Sequence, residues 1–388
     1  MIPALDLRSP LTRGRVAVSL LFLLYGTILG TWTARIPAIK QGLGLGDGQL
    51  SVGLLAFAAG AIAGMQAAGP LVDRLRSGRV MVPAAVADGL LLVLPAHAFD
   101  LASLAACLFV FGAAHGTLNV AMNVNAVEVE RAWGRPIMSS CHAVYSVGGF
   151  LGAGIGGAFA AASAGPGLTF ACVAAAAIAA AIWAAAWALP AEPAPRPAGG
   201  RSGGGAAARG VLFLGVLVFC CLVGEGAAAD WSAVYLRDSL GSTAGFAAAA
   251  YAAFSVAMMG GRLVGDRLAA GVGPVRLVRG CGVLAAAGLA AALLAGRPAA
   301  GVAGFACLGA GLSCIAPQVF SAAGRRDPSR AGQAIGRVAG LGFLGFVVGP
   351  IVIGGTAQLL GLPRALLIPA VLALFVAAAA PALRARPE

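Results

Sequence analysis

The stretch Gly69-Pro70-Leu71-Val72-Asp73-Arg74 ends a long apolar run, and its last two residues bring the first charges after that run. The pair Asp73-Arg74 recurs as Asp266-Arg267, 193 residues later. Gly149-Phe150-Leu151-Gly152 recurs as Gly342-Phe343-Leu344-Gly345 at the same offset of 193 residues. Two independent matches at one offset indicate that the chain consists of two repeats.

Apolar side chains dominate the whole chain. Hydrophobic residues make up 60% of the 388 residues and charged residues only 10%, whereas a typical soluble domain carries about 25% charged residues. We therefore expect the chain to lie in a lipid bilayer. A spanning helix takes about 20 residues, and runs of suitable length fall at residues 16–34, 50–72, 80–98, 101–124, 138–160, 168–189, 211–231, 245–265, 275–295, 299–320, 336–360 and 365–381.

These runs predict an all-α membrane protein with twelve transmembrane helices in two six-helix pseudo-repeats. We expect a first bundle over residues 1–189 and a second over residues 211–388. The segment 190–210 between them is rich in Pro, Gly, Ala and Arg. Such a composition cannot form a packed core, so it predicts a flexible cytoplasmic linker.

Basic residues predict the orientation of the helices. If both termini are cytoplasmic, nearly all of the 26 basic residues, Arg262 among them, fall on the cytoplasmic side. The exceptions are Arg35, Lys40, Arg237, Arg297 and Arg364. Positively charged loops stay in the cytoplasm, so this bias predicts that both termini are inside.

Several functional classes are excluded. The net charge of +12 comes from arginines in short connectors rather than from a basic face with stacking aromatics, so no nucleic-acid partner is expected. The single lysine, Lys40, does not lie in a phosphate-binding loop, which excludes ATP-driven transport by this chain alone. Eight cysteines without a C-x-x-C pair and three scattered histidines predict no metal, no cofactor and no enzyme active site.

The loop that contains Asp73 carries a family resemblance. Gly69–Arg74, followed by Arg79, resembles the signature loop of the major facilitator superfamily, and the whole chain is similar to its bacterial inner-membrane YbjJ-type branch. The matching segments of that branch are Trp32–Lys40, Val120–Asn123, Gly134–Ser140, Glu225–Ala233 and Phe320–Arg325. The resemblance implies the major facilitator fold and transport by alternating access.

Two positions depart from the family patterns. The superfamily loop usually has glycine where this chain has Arg76. The branch often has an acid where this chain has Asn119, and that difference argues against a proton carried by the fourth helix.

Ionisable residues inside apolar runs are functional candidates because they are costly in a membrane. Glu225 lies within the seventh run, where a low dielectric favours a protonated carboxylate. We expect Glu225 to be the proton-coupling residue, with a purely structural hydrogen bond to a neighbouring helix as the alternative. Asp88 lies in the middle of the third run with no identified partner, and a structural or conformational role is expected for it.

A polar stripe runs along the fourth helix. His115, Asn119 and Asn123 are spaced four residues apart and therefore share one helix face. With His142 and Tyr145 of the fifth run, Asn119 and Asn123 predict a polar pocket, and helix-to-helix hydrogen bonding is the alternative. The resemblance implies that the cavity is lined by the first, fourth, seventh and tenth helices, which adds Tyr25, Trp32 and Gln318.

The resemblance also implies residues that control the conformational cycle. Asp73 is expected to meet the N-terminus of the eleventh helix, beginning near Ile335, and Asp266 the start of the fifth helix. The residues of the signature loop to which the resemblance assigns this role are Gly69, Asp73, Arg74 and Arg79 in the first half, with Asp266 and Arg267 as their counterparts in the second. The fifth and eleventh helices are expected to pack closely, bend and slide during transport. The residues expected to allow this are three glycines and a proline: Gly152, Gly345, Gly349 and Pro350.

The expected function is proton-coupled secondary transport of a small polar or amphipathic solute across the bacterial inner membrane. Export is favoured over uptake, and a neutral cargo is favoured over a charged one. The expected partners are the solute, protons and the lipid bilayer, and the protein is expected to be a monomer. The alternatives are passive facilitation, and a membrane sensor or scaffold that keeps the transporter fold without transporting.

Overall fold

The computed structural model describes residues 9–187 and 204–384, and the regular structure in these ranges is helical. The α-helices are α1 Pro10–Gly42, α2 Asp47–Leu75, α3 Ser77–Leu91, α4 Leu101–Trp133, α5 Met138–Ala161, α6 Pro166–Ala185, α7 Gly204–Val234, α8 Ala244–Val272, α9 Pro274–Ala295, α10 Pro298–Leu312, α11 Ile315–Arg326, α12 Ala331–Leu360, α13 Leu362–Ala365 and α14 Leu367–Ala379.

Twelve segments in the described ranges are long and apolar enough to cross a membrane. Two of them combine neighbouring helices: α10 and α11 form the tenth, Pro298–Arg326, and α13 and α14 belong to the twelfth, Leu362–Leu383. The eleventh span therefore corresponds to α12. The predicted all-α fold with twelve membrane-capable helices is confirmed.

Local sequence signals explain where many helices begin and end. Proline occupies the first turn of α1, α6, α9 and α10, where its missing N–H costs nothing. Asp100 caps α4 by accepting a hydrogen bond from the backbone N–H of Ser103 at 2.7 Å. Gly134 and Gly296 end α4 and α9 in the left-handed conformation that glycine adopts without strain.

The chain divides into two compact units. The first comprises Met1–Gly134, Cys141–Gly199 and Asp327–Gly340; the second comprises Arg135–Ser140, Gly200–Arg326 and Leu341–Glu388. Residues 135–140, at the start of α5, therefore belong to the second unit, and residues 327–340, at the start of α12, belong to the first. The sequence had predicted each half as one continuous segment. Aspartates described below hold those two helix starts.

The linker assignment also changes. Residues 190–203 of the expected linker lie outside the described residues, but α7 begins at Gly204, so residues 204–210 are helical. The run of alanines in this stretch explains the earlier start, since alanine has the highest helix propensity.

Candidate functional site

A polar cluster in the first unit joins α1 and α4. The side-chain N–H of Asn119 donates to the hydroxyl of Tyr25 at 3.1 Å. One turn further along α4, the side-chain N–H of Asn123 donates to the backbone carbonyl of Asn119 at 2.8 Å. Tyr25 and Asn123 are buried, while Asn119 is partly exposed. The polar stripe predicted for the fourth helix is therefore involved in contacts with its own helix and α1.

Two residues of α5 border this cluster. The Tyr145 ring lies 5.5 Å from the Tyr25 ring, centre to centre. His142, one turn before Tyr145, instead packs its ring 5.3 Å from Phe22 of α1. The structure thus brings Tyr25, Asn119, Asn123 and Tyr145 together, with His142 one helical turn away.

Two predicted cavity residues have other surroundings. Trp32 is 2% exposed, and its ring packs between those of Phe111 and Phe170 at 6.3 and 6.1 Å. Gln318 belongs to α11 in the second unit, where its side-chain N–H lies 3.5 Å from the Ser139 hydroxyl oxygen and is buried. In this conformation Trp32 packs in an aromatic core, and Gln318 contacts the start of α5.

Asp88, for which the sequence indicates no partner, pairs with a histidine of the next helix. Nδ1 of His115 in α4 lies 3.0 Å from Oδ2 of Asp88 in α3, with both side chains at most 1% exposed. The His115 ring stacks on the Tyr25 ring, with centres 3.7 Å apart and planes 11° apart. A mid-membrane acid needs a partner, but the sequence does not show which helix supplies it.

A second buried acid–base pair lies in the second unit. Oε1 of Glu225 in α7 is 3.5 Å from a guanidinium nitrogen of Arg262 in α8, and the two side chains are 17% and 7% exposed. The Cys221 thiol, one turn before Glu225, lies 3.8 Å from the same carboxylate oxygen. This pair neutralises two charges that would be costly to bury singly.

Arg262 was counted on the cytoplasmic side with the loop arginines, and that orientation stays a prediction, but the side chain is buried inside α8 rather than exposed in a loop. Arg262 lies within α8 and within the apolar span Gly245–Val272. It precedes Asp266 by four residues, which is one helical turn. The signal that would have found it is the mid-membrane acid Glu225, whose burial requires a cation on a neighbouring helix.

Asp73 accepts hydrogen bonds from the first turn of α12. Its two carboxylate oxygens lie 2.7 Å from the backbone nitrogen of Gly332 and 3.2 Å from that of Gln333. The contact that the resemblance implies is present, although the helix begins at Ala331 rather than near Ile335. A carboxylate here satisfies free N–H groups and complements the positive end of the helix dipole.

Asp266 makes the equivalent contact in the second unit. Its carboxylate oxygens lie 2.8 Å from the backbone nitrogen of Ser139 and 2.9 Å from that of Ser140, in the first turn of α5. The two aspartates of the repeated Asp-Arg pair therefore bind helix starts in the same way. Their role in the transport cycle remains a prediction.

The other loop residues fall into two groups. Arg74, Arg79 and Arg267 are exposed. Gly69 is buried against the start of α12, where an added Cβ would lie 2.9 Å from the Cα of Gln333. Close approach of α2 to that helix start therefore requires glycine at position 69.

Matching glycines hold α5 and α12 close to their neighbours. A Cβ on Gly152 would lie 2.1 Å from the Thr27 carbonyl oxygen of α1, and one on Gly345 would lie 2.6 Å from the Phe219 carbonyl oxygen of α7. At Gly349 a Cβ would make ordinary contacts with Val223 at 3.5 Å. Pro350 follows inside α12, where it removes one helical hydrogen bond.

The polar side chains described above can donate and accept hydrogen bonds. Among the described residues, no group of three or more His, Cys, Asp or Glu side chains is arranged to hold a metal ion. Each unit contains a buried acid–base pair, and the first unit adds neutral hydroxyl and amide groups next to its pair.

Comparisons with known proteins agree with this architecture. The family model of the Major Facilitator Superfamily matches residues 17–331. An uncharacterised MFS-type transporter of Yersinia pestis is 34% identical over 367 residues, which cover 94% of each chain. An uncharacterised transporter of Sinorhizobium fredii is 34% identical over 363 residues, covering 94% of this chain and 96% of that protein.

A solved structure shares the fold at lower identity. The E. coli fucose:proton symporter FucP aligns with a TM-score of 0.76 and 19% identity, over 95% of this chain and 98% of FucP. Twelve membrane-capable helices, repeated aspartates at helix starts and a matching family model over most of the chain lead to one conclusion. The chain belongs to the major facilitator superfamily, a family of membrane transporters.

Proposed function

We propose that this protein is a proton-coupled secondary transporter of the bacterial inner membrane, of the YbjJ-type branch, that moves a small neutral polar solute by alternating access. The observation that carries the proposal is the buried pair of Glu225 and Arg262, 3.5 Å apart inside two membrane-spanning helices. An ionisable pair in this environment is costly and marks ion or substrate pathways in membrane proteins.

Proton coupling follows from how such a pair responds to protonation. When Glu225 takes up a proton it loses its charge, so its attraction to Arg262 weakens. The free energy of that contact then depends on the proton concentration on the side from which Glu225 is reached. Alternation between two conformations with different access to Glu225 would link proton movement to solute movement.

The first-unit cluster supports a neutral cargo. Tyr25, Asn119, Asn123 and Tyr145 offer hydroxyl and amide groups, which donate and accept hydrogen bonds without a net charge. Such groups suit hydroxyl-rich or amide-bearing solutes better than strongly charged ones. His142 is the fifth residue that we place at this candidate site, as an adjacent ring on α5.

We propose export as the direction, with uptake of a sugar as the second candidate. The second candidate is favoured by the likeness of fold to FucP, which is named a fucose:proton symporter. A non-transporting sensor or scaffold is the alternative from another class. Both termini are proposed to be cytoplasmic, and protease protection of terminal tags in oriented membrane vesicles tests this orientation. The protein is proposed to be a monomer, and light scattering of the purified protein tests its oligomeric state.

Solid-supported-membrane electrophysiology on proteoliposomes tests the proposal. Neutral sugars, amino acids, organic acids and hydrophobic cations are applied at two pH values to the wild type and to Glu225→Gln. We expect a pH-dependent current for a neutral solute that is lost in Glu225→Gln, while Asp230→Asn, an exposed acid of the same helix, retains it. A current that persists in Glu225→Gln would indicate a different coupling residue, whereas counterflow of a neutral solute without any current in the wild type would indicate passive facilitation. Silence for every class, in counterflow with radiolabelled solutes as well, would favour the sensor.

A further inference from the structure

The pair formed by Asp88 and His115 contains an atom with an unusual environment. Nδ1 of His115 faces the Asp88 carboxylate at 3.0 Å, but Nε2 on the other side of the ring is buried and has no hydrogen-bond partner among the described residues. A buried polar atom without a partner costs free energy. In a ring already fixed by a carboxylate and a stacked tyrosine, this cost calls for a functional explanation.

The carboxylate determines which ring nitrogen exchanges a proton. When Asp88 is ionised it can only accept hydrogen bonds, so Nδ1 of His115 then carries a hydrogen and donates it to Asp88. That hydrogen stays in place when the imidazole is neutral and when it is charged. The proton that comes and goes is therefore the one on Nε2, and a permanent partner at Nε2 would oppose its exchange.

Few other ionisable groups face the pair. From α1 the ring of Tyr25 stacks on His115, and from α5 Tyr145 lies next to that tyrosine ring at 5.5 Å. From α2 the neighbour is Phe57, whose ring lies 5.7 Å from His115 and carries no charge. With a proton on Nε2 the pair is neutral, and without it the pair has one buried negative charge that none of these groups neutralises.

The pair also adjoins the predicted cargo cluster. Tyr25 covers the imidazole with its ring, and its hydroxyl accepts the hydrogen bond from Asn119 at 3.1 Å. Asn119 follows His115 by one helical turn on the same face of α4 and is partly exposed. A solute that accepts a hydrogen bond from the Asn119 side-chain N–H competes with the Tyr25 hydroxyl for that donor. Solute binding can therefore release Tyr25, whose ring stacks on His115.

The amide at Asn119 argued against a proton on the fourth helix, but the imidazole of His115 gives that helix a basic nitrogen that the argument left out. We propose that Nε2 of His115, oriented by Asp88, is a second proton-binding site of the transporter, and that Tyr25 links its occupancy to solute at Asn119. Binding forms the Nε2–H bond with a proton from a hydronium ion and leaves a water molecule; release returns the proton to water when a conformational change that moves Tyr25 also opens Nε2 to water. This inference rests on the proposed function for its role in coupling, but proton binding itself is measured without any cargo.

Nitrogen NMR of the full chain tests the site directly. The protein has three histidines, at positions 97, 115 and 142, so labelling histidine with ¹⁵N gives few signals, and His115→Gln identifies those of His115. We expect Nε2 of His115 to titrate in lipid nanodiscs while Nδ1 keeps its hydrogen. In Asp88→Asn the side-chain oxygen can still accept from Nδ1, but without its charge the imidazolium is less favoured. At a given pH, Asp88→Asn should therefore leave less of the ring with a proton on both nitrogens than the wild type has.

Transport measurements separate this inference from the proposed function. For whichever panel solute gives a current, Asp88→Asn and His115→Gln should lose accumulation driven by a proton gradient and retain solute counterflow. The control is His97→Gln, because His97 lies in the exposed Leu94–His97 turn, and it should behave as the wild type. A His115 ring that keeps one protonation state across the pH range, or a doubly protonated fraction that is the same in Asp88→Asn as in the wild type, overturns the inference even when transport is found. If no solute is transported but Nε2 titrates as expected, the proton site stands and the transporter proposal fails.

Discussion

At the scale of single residues, the pair of Glu225 and Arg262 shows what burial demands of charge. The carboxylate and the guanidinium lie 3.5 Å apart with little exposure. Removing one member of a buried pair leaves an uncompensated charge, whereas removing both leaves none. Each member is therefore expected to depend on the other, because either one alone would be an unpaired charge in an apolar environment.

A double-mutant cycle measures this dependence. We expect Arg262→Gln to destabilise the protein, and Arg262→Gln combined with Glu225→Gln to destabilise it less than the sum of the two single changes. For groups in direct contact the interaction free energy should be about 0.5–3 kcal/mol. The measurement is the free energy of unfolding from titration with denaturing detergent. Strictly additive single changes would mean that the two side chains do not interact in the folded protein.

The same residues show what the sequence reveals and what it does not. Glu225 was identified from the sequence because an acid in an apolar run is conspicuous. Arg262 was not identified, because it lies one helical turn before the charged pair Asp266-Arg267. Hydropathy alone does not show whether such a residue lies inside the membrane or in the adjoining connector. The pairing of Asp88 with His115 depends on how α3 and α4 face each other, which a single sequence without homologues does not encode in any local pattern.

At the scale of helices, α1 and α5 are packed through their backbones. A Cβ on Gly152 would lie 2.1 Å from the Thr27 carbonyl oxygen and 2.8 Å from the Thr31 nitrogen. Backbone atoms cannot move aside as a flexible side chain can, so any larger residue must separate the two helices. Close packing of small residues is a main source of helix association in membranes.

This packing predicts opposite outcomes for two glycines of one helix. Gly152→Ala should lower the thermal stability of the protein in detergent, because α5 must shift away from α1. Gly154→Ala in the same helix should leave it unchanged or raise it, since nothing lies within 4 Å of a Cβ there and alanine is the better helix former. Equal melting temperatures for the two variants would contradict the packing.

Arg76 provides a second test at this scale. It joins α2 to α3 with φ 77° and ψ 151°, and Gly273 joins α8 to α9 with φ 81° and ψ 157°. Only glycine adopts this conformation without strain of about 1–3 kcal/mol. The departure from the superfamily loop that the sequence shows at Arg76 is thus a site of backbone strain in the structure.

Arg76→Gly should therefore stabilise the protein, by about 1 kcal/mol once the greater freedom of glycine in the unfolded chain is subtracted. Gly273→Ala is the matched change in the opposite direction and should destabilise it. A Cβ at Gly273 meets no atom within 4 Å, so any loss there reports strain rather than a clash. Detergent unfolding of both variants gives the comparison, and a destabilised Arg76→Gly would show that the contacts of the arginine side chain outweigh the strain.

At the scale of the whole molecule, the number of helices and the repeat were predictable, while the exact boundaries of the two units were not. Hydropathy and the offset of 193 residues predict twelve helices in two sets of six, since length and composition alone decide what can cross a bilayer. Residues 135–140 and 327–340 belong to the unit formed mainly by the other half of the sequence, because the starts of α5 and α12 contact Asp266 of α8 and Asp73 of α2. Such contacts follow from tertiary packing rather than from local composition.

Asp73 and Asp266 each bind the start of a helix that runs through both units. Asp73 binds the first turn of α12, and the same helix continues into the second unit after Gly340. Asp266 binds the first turn of α5, which continues into the first unit after Ser140. Each contact therefore fixes the start of a helix that both units share, and weakening it should lower the population of the conformation described here.

Asp73→Asn keeps one acceptor oxygen but removes the charge that strengthens both hydrogen bonds. A loss of about 1–2 kcal/mol corresponds to a roughly 5- to 30-fold change in population. We expect faster amide hydrogen exchange at the start of α12 and slower transport, with unchanged insertion into the membrane. Asp266→Asn should have the same effect at the start of α5, and the double variant should exceed either change alone. Asp238→Asn is the control, because Asp238 is exposed and pairs with its neighbour Arg237 at 2.6 Å. Exchange and transport at wild-type levels in Asp73→Asn at equal expression would show that the repeated aspartates cap helices without controlling the conformational cycle.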